Sequence, residues 1–123
     1  MRTDRFALFT LAGLAVCIPA LGQPRVVDGL LVNRAGLTLY VFDNDVAGSG
    51  RSVCNLPCSN LHPPYALEKG ARPQGEFSAV TRDDGSRQWA YKGKPLYLWY
   101  ADEKPGQTGG DGISRNTWHV ARP

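Results

Sequence analysis

One ten-residue unit occurs twice in this chain, and no other feature restricts its fold so strongly. Gly36-Leu37-Thr38-Leu39-Tyr40-Val41-Phe42-Asp43-Asn44-Asp45 aligns without gaps on Gly93-Lys94-Pro95-Leu96-Tyr97-Leu98-Trp99-Tyr100-Ala101-Asp102. The two share Gly, Leu, Tyr and Asp, with an aromatic residue two places after each Tyr. A unit used twice predicts two related substructures. Residues two apart share a strand face, so Tyr40 goes with Phe42 and Tyr97 with Trp99, while Leu39 and Leu96 point the other way. Both faces are apolar, which predicts that both are covered. Asp45 and Asp102 stand where the strand should end, and a carboxylate there can accept N–H groups of the turn that follows.

Fourteen Gly and nine Pro cut the chain into short segments, and the apolar residues between them are of the kinds that favour strands. Strands are expected over Val26 to Val32, Leu37 to Phe42, Phe77 to Thr81, Arg87 to Tyr91, Leu96 to Tyr100 and Thr117 to Ala121. Turn chemistry separates them at Asn33-Arg34-Ala35-Gly36, Asp83-Asp84-Gly85 and Lys92-Gly93-Lys94-Pro95. The segment from Asp43 to Gln74 is poor in strand signals and too long for an idle connection. A short helix is expected near Tyr65 to Lys69. The fold expected is all-β or predominantly β, with two related hairpin units packed as a small sandwich or barrel about a pseudo-two-fold axis.

Arg2 and Arg5 precede an apolar run from Phe6 to Ala20, too short for a membrane span. It reads as a secretory signal peptide over residues 1–22, cut before Gln23, leaving one β-rich domain over 23–123 with the repeats at 36–45 and 93–102. Periplasmic or secreted release is expected, with no transmembrane segment after processing. Leu14-Ala15-Val16-Cys17 approaches a lipobox, but Val16 stands where a small residue is needed, so lipid anchoring at Cys17 is the lesser alternative. Without Arg2, Asp4 and Arg5, the 14 basic and 11 acidic residues fall to 12 and 10, a charge of +2 with no basic run. That balance speaks against a nucleic-acid surface. Cys54 and Cys58 remain in an oxidising compartment, where a disulfide is the default.

The residues together resemble the bacterial secreted repeat proteins described as predicted lipoproteins with a Tyr-x-(Phe/Trp/Tyr)-x-x-Asp motif. The resemblance takes in both repeats, the cysteine pair followed by Pro63-Pro64, then Asp84-Gly85, Gln88, Tyr91, Gly110-x-Gly112 and Trp118. It implies export and carries no biochemical activity with it. His62 departs from the pattern, which commonly has Trp before Pro-Pro.

Catalysis finds little support in the residues. His62 and His119 are the available bases, and neither sits in a nucleophile motif. Asp43-Asn44-Asp45 lacks the remaining acidic ligands of a calcium loop. Gly109-Gly110-Asp111-Gly112 lacks the strand-to-helix context of a phosphate cradle. No cofactor is expected. The alternative is copper, zinc or haem held by His62, with His119 a weaker second ligand; the Cys-x-x-x-Cys-x-x-x-His spacing fits neither a zinc finger nor a haem attachment site. The expected function is that of a non-catalytic envelope or extracellular module recognising a small ligand or a partner protein. Tyr40, Phe42, Asp45, Tyr97, Trp99 and Asp102 serve as its core or as its ligand-facing site.

Overall fold

In a computed structural model of the protein, residues 21–123 are described, and the expected signal peptide with Cys17 lies outside them except for its last two positions. The elements are β1 (Arg25–Val27), β2 (Leu30–Val32), β3 (Tyr40–Phe42), α1 (Cys58–Leu61), β4 (Phe77–Thr81), β5 (Arg87–Tyr91), β6 (Lys94–Pro95), the single turn α2 (Ile113–Asn116), left-handed at Ser114 and Arg115, and β7 (Trp118–Val120). They form three small antiparallel sheets, ordered β1-β2, β3-β7 and β4-β5-β6. The fold is predominantly β, and among the described residues the sheets do not close into a barrel.

Local chemistry explains most boundaries. The segment expected as one strand over Val26 to Val32 is instead a hairpin, because Asp28 and Gly29 adopt φ of 50° and 78°, the paired left-handed residues of a tight two-residue turn. The expected strand over Leu96 to Tyr100 does not form: β6 ends before it, at Pro95, and only Tyr97 is bridged, to Tyr40 and to Pro64. Tyr65 to Lys69 is not helical: Ala66 is bridged to Gln88, and a turn follows at Lys69 and Gly70. The helical turn falls earlier, at α1, directly behind the Cys54–Cys58 disulfide, whose Cα atoms lie 5.2 Å apart.

The repeats are joined through a hydrogen-bond pattern that recurs when the halves are exchanged. In the first, Leu39 N–H donates to Leu31 O, Leu31 N–H to Ala121 O, and Ala121 N–H to Leu39 O, closing a triangle. In the second, Leu96 N–H donates to Trp89 O, Trp89 N–H to Tyr65 O, and Tyr65 N–H to Leu96 O. Tyr40 and Tyr97 pair across the centre, each donating its N–H to the other's carbonyl, at 2.8 and 2.9 Å. The pseudo-two-fold axis therefore passes between the two motif tyrosines. Each repeat also gives up its closing segment: Pro63 to Leu67, downstream of the first, lies along the second, and Trp118 to Ala121, downstream of the second, lies along the first.

Both strand faces are covered, as their apolar residues require. Leu31, Leu39, Trp89, Leu96 and Ala121 form one buried cluster, and Tyr40, Cys54, Tyr97, Trp118 and Val120 the other. Leu39 and Leu96 thus sit opposite Tyr40 and Tyr97, in keeping with the period-two alternation of a strand.

Candidate functional site

The motif residues meet on the axis. Tyr40 donates its hydroxyl proton to Asp102 Oδ2 at 2.5 Å, and Tyr97 donates to Asp45 Oδ2 at 2.6 Å. Each tyrosine is bound by the aspartate of the other repeat. The second oxygen of each carboxylate accepts a backbone N–H from its own downstream loop, Val53 to Asp45 Oδ1 at 2.7 Å and Gly109 to Asp102 Oδ1 at 3.0 Å. Capping of the following loop was legible from sequence; the exchange of tyrosines was not, because nothing in a linear motif says that its first and last members face different partners. Burial, and then the neighbouring carboxylate, hold both hydroxyls protonated far above the ordinary tyrosine range.

The Tyr97 side continues into a charged network that the sequence did not reveal. Arg82 is buried and donates from Nη1 to Ser52 Oγ at 2.9 Å and to Gln88 Oε1 at 2.8 Å, and from Nη2 to Cys54 O at 2.7 Å. Ser52 Oγ lies 2.6 Å from the Tyr97 hydroxyl. A guanidinium only donates and a carboxylate only accepts, so the chain runs in one direction, from Arg82 through Ser52 and Tyr97 to Asp45. On the Tyr40 side a backbone amide replaces these groups: Gly110 N–H donates to the Tyr40 hydroxyl at 3.2 Å. Position 110 is tight, since a Cβ there would stand 3.0 Å from Trp99 and 3.1 Å from the Tyr40 ring.

The aromatic members form a stack with the same symmetry. Phe42 lies on Trp118 with ring centroids 4.4 Å apart, Trp118 on His62 at 3.5 Å and 3°, and His62 against Trp99 at 5.0 Å. Phe42 and Trp99 are equivalent positions of the two repeats, and His62 and Trp118 are equivalent positions of the two closing segments. His62 therefore occupies a site built for an indole, which accounts for the Trp that the resemblance led one to expect there. Only 4% of it is exposed, and burial pushes its pKa down to about 4.

That shift gives a pH dependence. The unfolded chain takes up a proton on His62 below about pH 6.5 and the folded protein only near 4, so acid favours unfolding and stability falls as pH drops through this window. The loss should approach about 3 kcal/mol by pH 4. Melting temperatures from pH 7 to 4, compared with His62→Trp, check this: the variant should melt no lower at pH 7 and show a shallower acid slope. Equal slopes would remove His62 from the account.

The residues named as metal ligands are not brought together. The two cysteines are joined to each other, His62 is inside the stack, and His119, on the opposite face of β7 from Trp118, pairs with Asp43 Oδ2 at 3.0 Å. No group of three His, Cys, Asp or Glu is clustered among the described residues, and no helix there is long and apolar enough to cross a membrane.

The surface differs between the halves where the scaffold does not. The loop after the first motif exposes Val46 (68%), Val53 (56%), Leu56 (76%) and Leu61. Two clefts of about 410 Å³ each adjoin it, both lined by Asn55 and Asp83. The equivalent loop after the second motif, Glu103 to Thr117, exposes polar residues, glycine and Pro105, and no large aliphatic side chain. A further cleft of about 380 Å³ lies between the β1-β2 hairpin and Pro105-Gly106.

No curated protein and no solved structure matches the chain. A family model described as a secreted repeat of unknown function matches residues 78–122, which run from β4 through the second motif to the end of β7. The half of the molecule built on Tyr97, Trp99 and Asp102 is thus similar to that secreted repeat, in keeping with the resemblance its motifs carry.

Proposed function

We propose that the protein is a non-catalytic exported module, released to the periplasm or the medium, that recognises a partner protein through the loop from Val46 to Leu61. The observation that carries this reading is the contrast between the two symmetry-related loops. Both close the same motif and satisfy the same carboxylate oxygen, so the scaffold asks the same of each. Only the first spends four aliphatic side chains on solvent and pins them with a disulfide. Exposed apolar groups concentrated on one rigid segment mark an interaction surface. The motif itself offers no competing site, since its hydroxyls and carboxylates are buried and paired with each other.

A protein is favoured over a small ligand because the clefts that Leu56 and Val46 line are open and leave both side chains largely exposed. A photo-crosslinking residue placed at Leu56 in exporting cells should yield a discrete protein adduct, and the same residue at Gln107 should not. Equal labelling at the two positions, or none, would sink the reading. Leu56→Asp should remove the adduct obtained from a probe at Val53, with the melting temperature nearly unchanged, as expected for an exposed position.

A further inference from the structure

From the way the halves are tied together we infer that a second copy of this chain can replace either half, so that two copies close on each other by exchanging them. All the elements that complete one repeat are drawn from the other: the Tyr40–Tyr97 backbone pair, the two Tyr–Asp bonds, the aromatic stack and both hydrogen-bonded triangles cross between residues before 68 and residues after 76. One connector, residues 68–76, is the only covalent link between them, and its sequence Glu-Lys-Gly-Ala-Arg-Pro-Gln-Gly-Glu is exposed except at Ala71 and Pro73. Neither half is complete without a counterpart, and a half from another copy is chemically the same counterpart. Exchange of this kind keeps every contact that crosses between the halves and alters only the connector, whose Ala71 packs on the Leu39 and Leu96 cluster; that is close to the condition under which swapping is a low-cost route to dimers.

The connector's length decides between the two closures. Leu67 N–H donates to Arg87 O at one end of β5. Ala66 and Val80 both face Gln88, so the Leu67 segment and β4 flank β5 on opposite sides, and Phe77 is paired with Tyr91 at the far end. Within one copy the connector must therefore travel about 13 Å along β5 and about 10 Å across it, roughly 16 Å in all. Nine residues span this easily. Deleting Lys69 to Gly75 leaves Glu68 and Glu76, three Cα steps reaching only about 11 Å, so closure within one chain is lost while closure between two chains is retained.

The full chain lacking Lys69 to Gly75 should have twice the parent's mass in solution, measured by light scattering across a range of concentrations. Its near-ultraviolet circular dichroism should keep the signature of the packed Trp118, His62 and Trp99 rings. A chain in which the same seven residues are replaced by fourteen of glycine and serine should stay monomeric with that signature. A folded monomer from the deletion would overturn the proposal. So would an unfolded or polydisperse chain, because the exchanged dimer offers every contact that crosses between the halves and lacks only the small Ala71 of the buried cluster.

Discussion

Trp118→Ala should lower stability by about 3–5 kcal/mol, the range for truncating a large buried aromatic, and the melting temperature by roughly 15–30 °C. The reason is its place in the stack. Trp118 is sandwiched between Phe42 and His62, meets the Tyr97 ring edge-on at 5.0 Å, and lies on β7, the closing strand lent to the first repeat. Its loss opens a cavity on the axis and loosens the strand that holds the triangle of Leu31, Leu39 and Ala121. Trp99→Ala, at the half-buried end of the same stack, should cost less, because solvent can enter the space it leaves. Thermal unfolding of the two variants side by side tests the order. A Trp99→Ala loss equal to or larger than that of Trp118→Ala would show that the stack is not organised about its centre.

Much of the architecture could be read from residues alone, and the parts that could not share a physical cause. Phe77–Thr81 and Arg87–Tyr91 were expected with their observed bounds, because β-favouring residues there flank a strong Asp-Gly turn. The disulfide followed from the cysteine count. The strand expected after Pro95 failed because Leu96 and Tyr97 find their backbone partners in Tyr65, Trp89 and Tyr40, on different segments rather than along one ladder. Long-range partners leave no local periodicity. The same limit hid the site: the repeat identified Tyr40, Asp45, Tyr97 and Asp102, but their pairing across repeats depends on the axis. Ser52 and Arg82 had no visible signal at all. An arginine beside Asp83-Asp84-Gly85 reads as an exposed turn residue, and only the fold turns its side chain inward to Gln88 and Cys54.

Arg82 is where a single substitution should reveal how that buried network works. Arg82→Met keeps much of the side chain's length but strips Ser52 Oγ, Gln88 Oε1 and the Cys54 carbonyl of a donor, and leaves the buried carboxylate of Asp45 without the cation at the other end of its chain. Leaving buried acceptors without a donor typically costs about 1–3 kcal/mol each, so the loss of three should amount to several kcal/mol. Asp45→Asn should be similarly costly, since its one remaining acceptor cannot serve both the Tyr97 hydroxyl and the Val53 N–H, and the cation loses its anion at the end of the chain. With both changes made no unbalanced charge remains, so the double variant should lose at least about 1 kcal/mol less than the two single losses combined, as expected for members of one network. Urea unfolding of the parent, both single variants and the double variant measures this coupling. Losses that simply add, within about 0.5 kcal/mol, would mean that Arg82 and Asp45 act separately and that the path through Ser52 and Tyr97 carries no shared energy. A coupling of the expected size would make the Tyr97 side of the axis a single electrostatic unit. The Tyr40 side, where the Gly110 amide stands in place of the cation and the Asp102 carboxylate remains, would then be its counterpart without a cation, with Tyr40→Phe costing the roughly 1.5–3 kcal/mol of a lost hydrogen bond to a charged group.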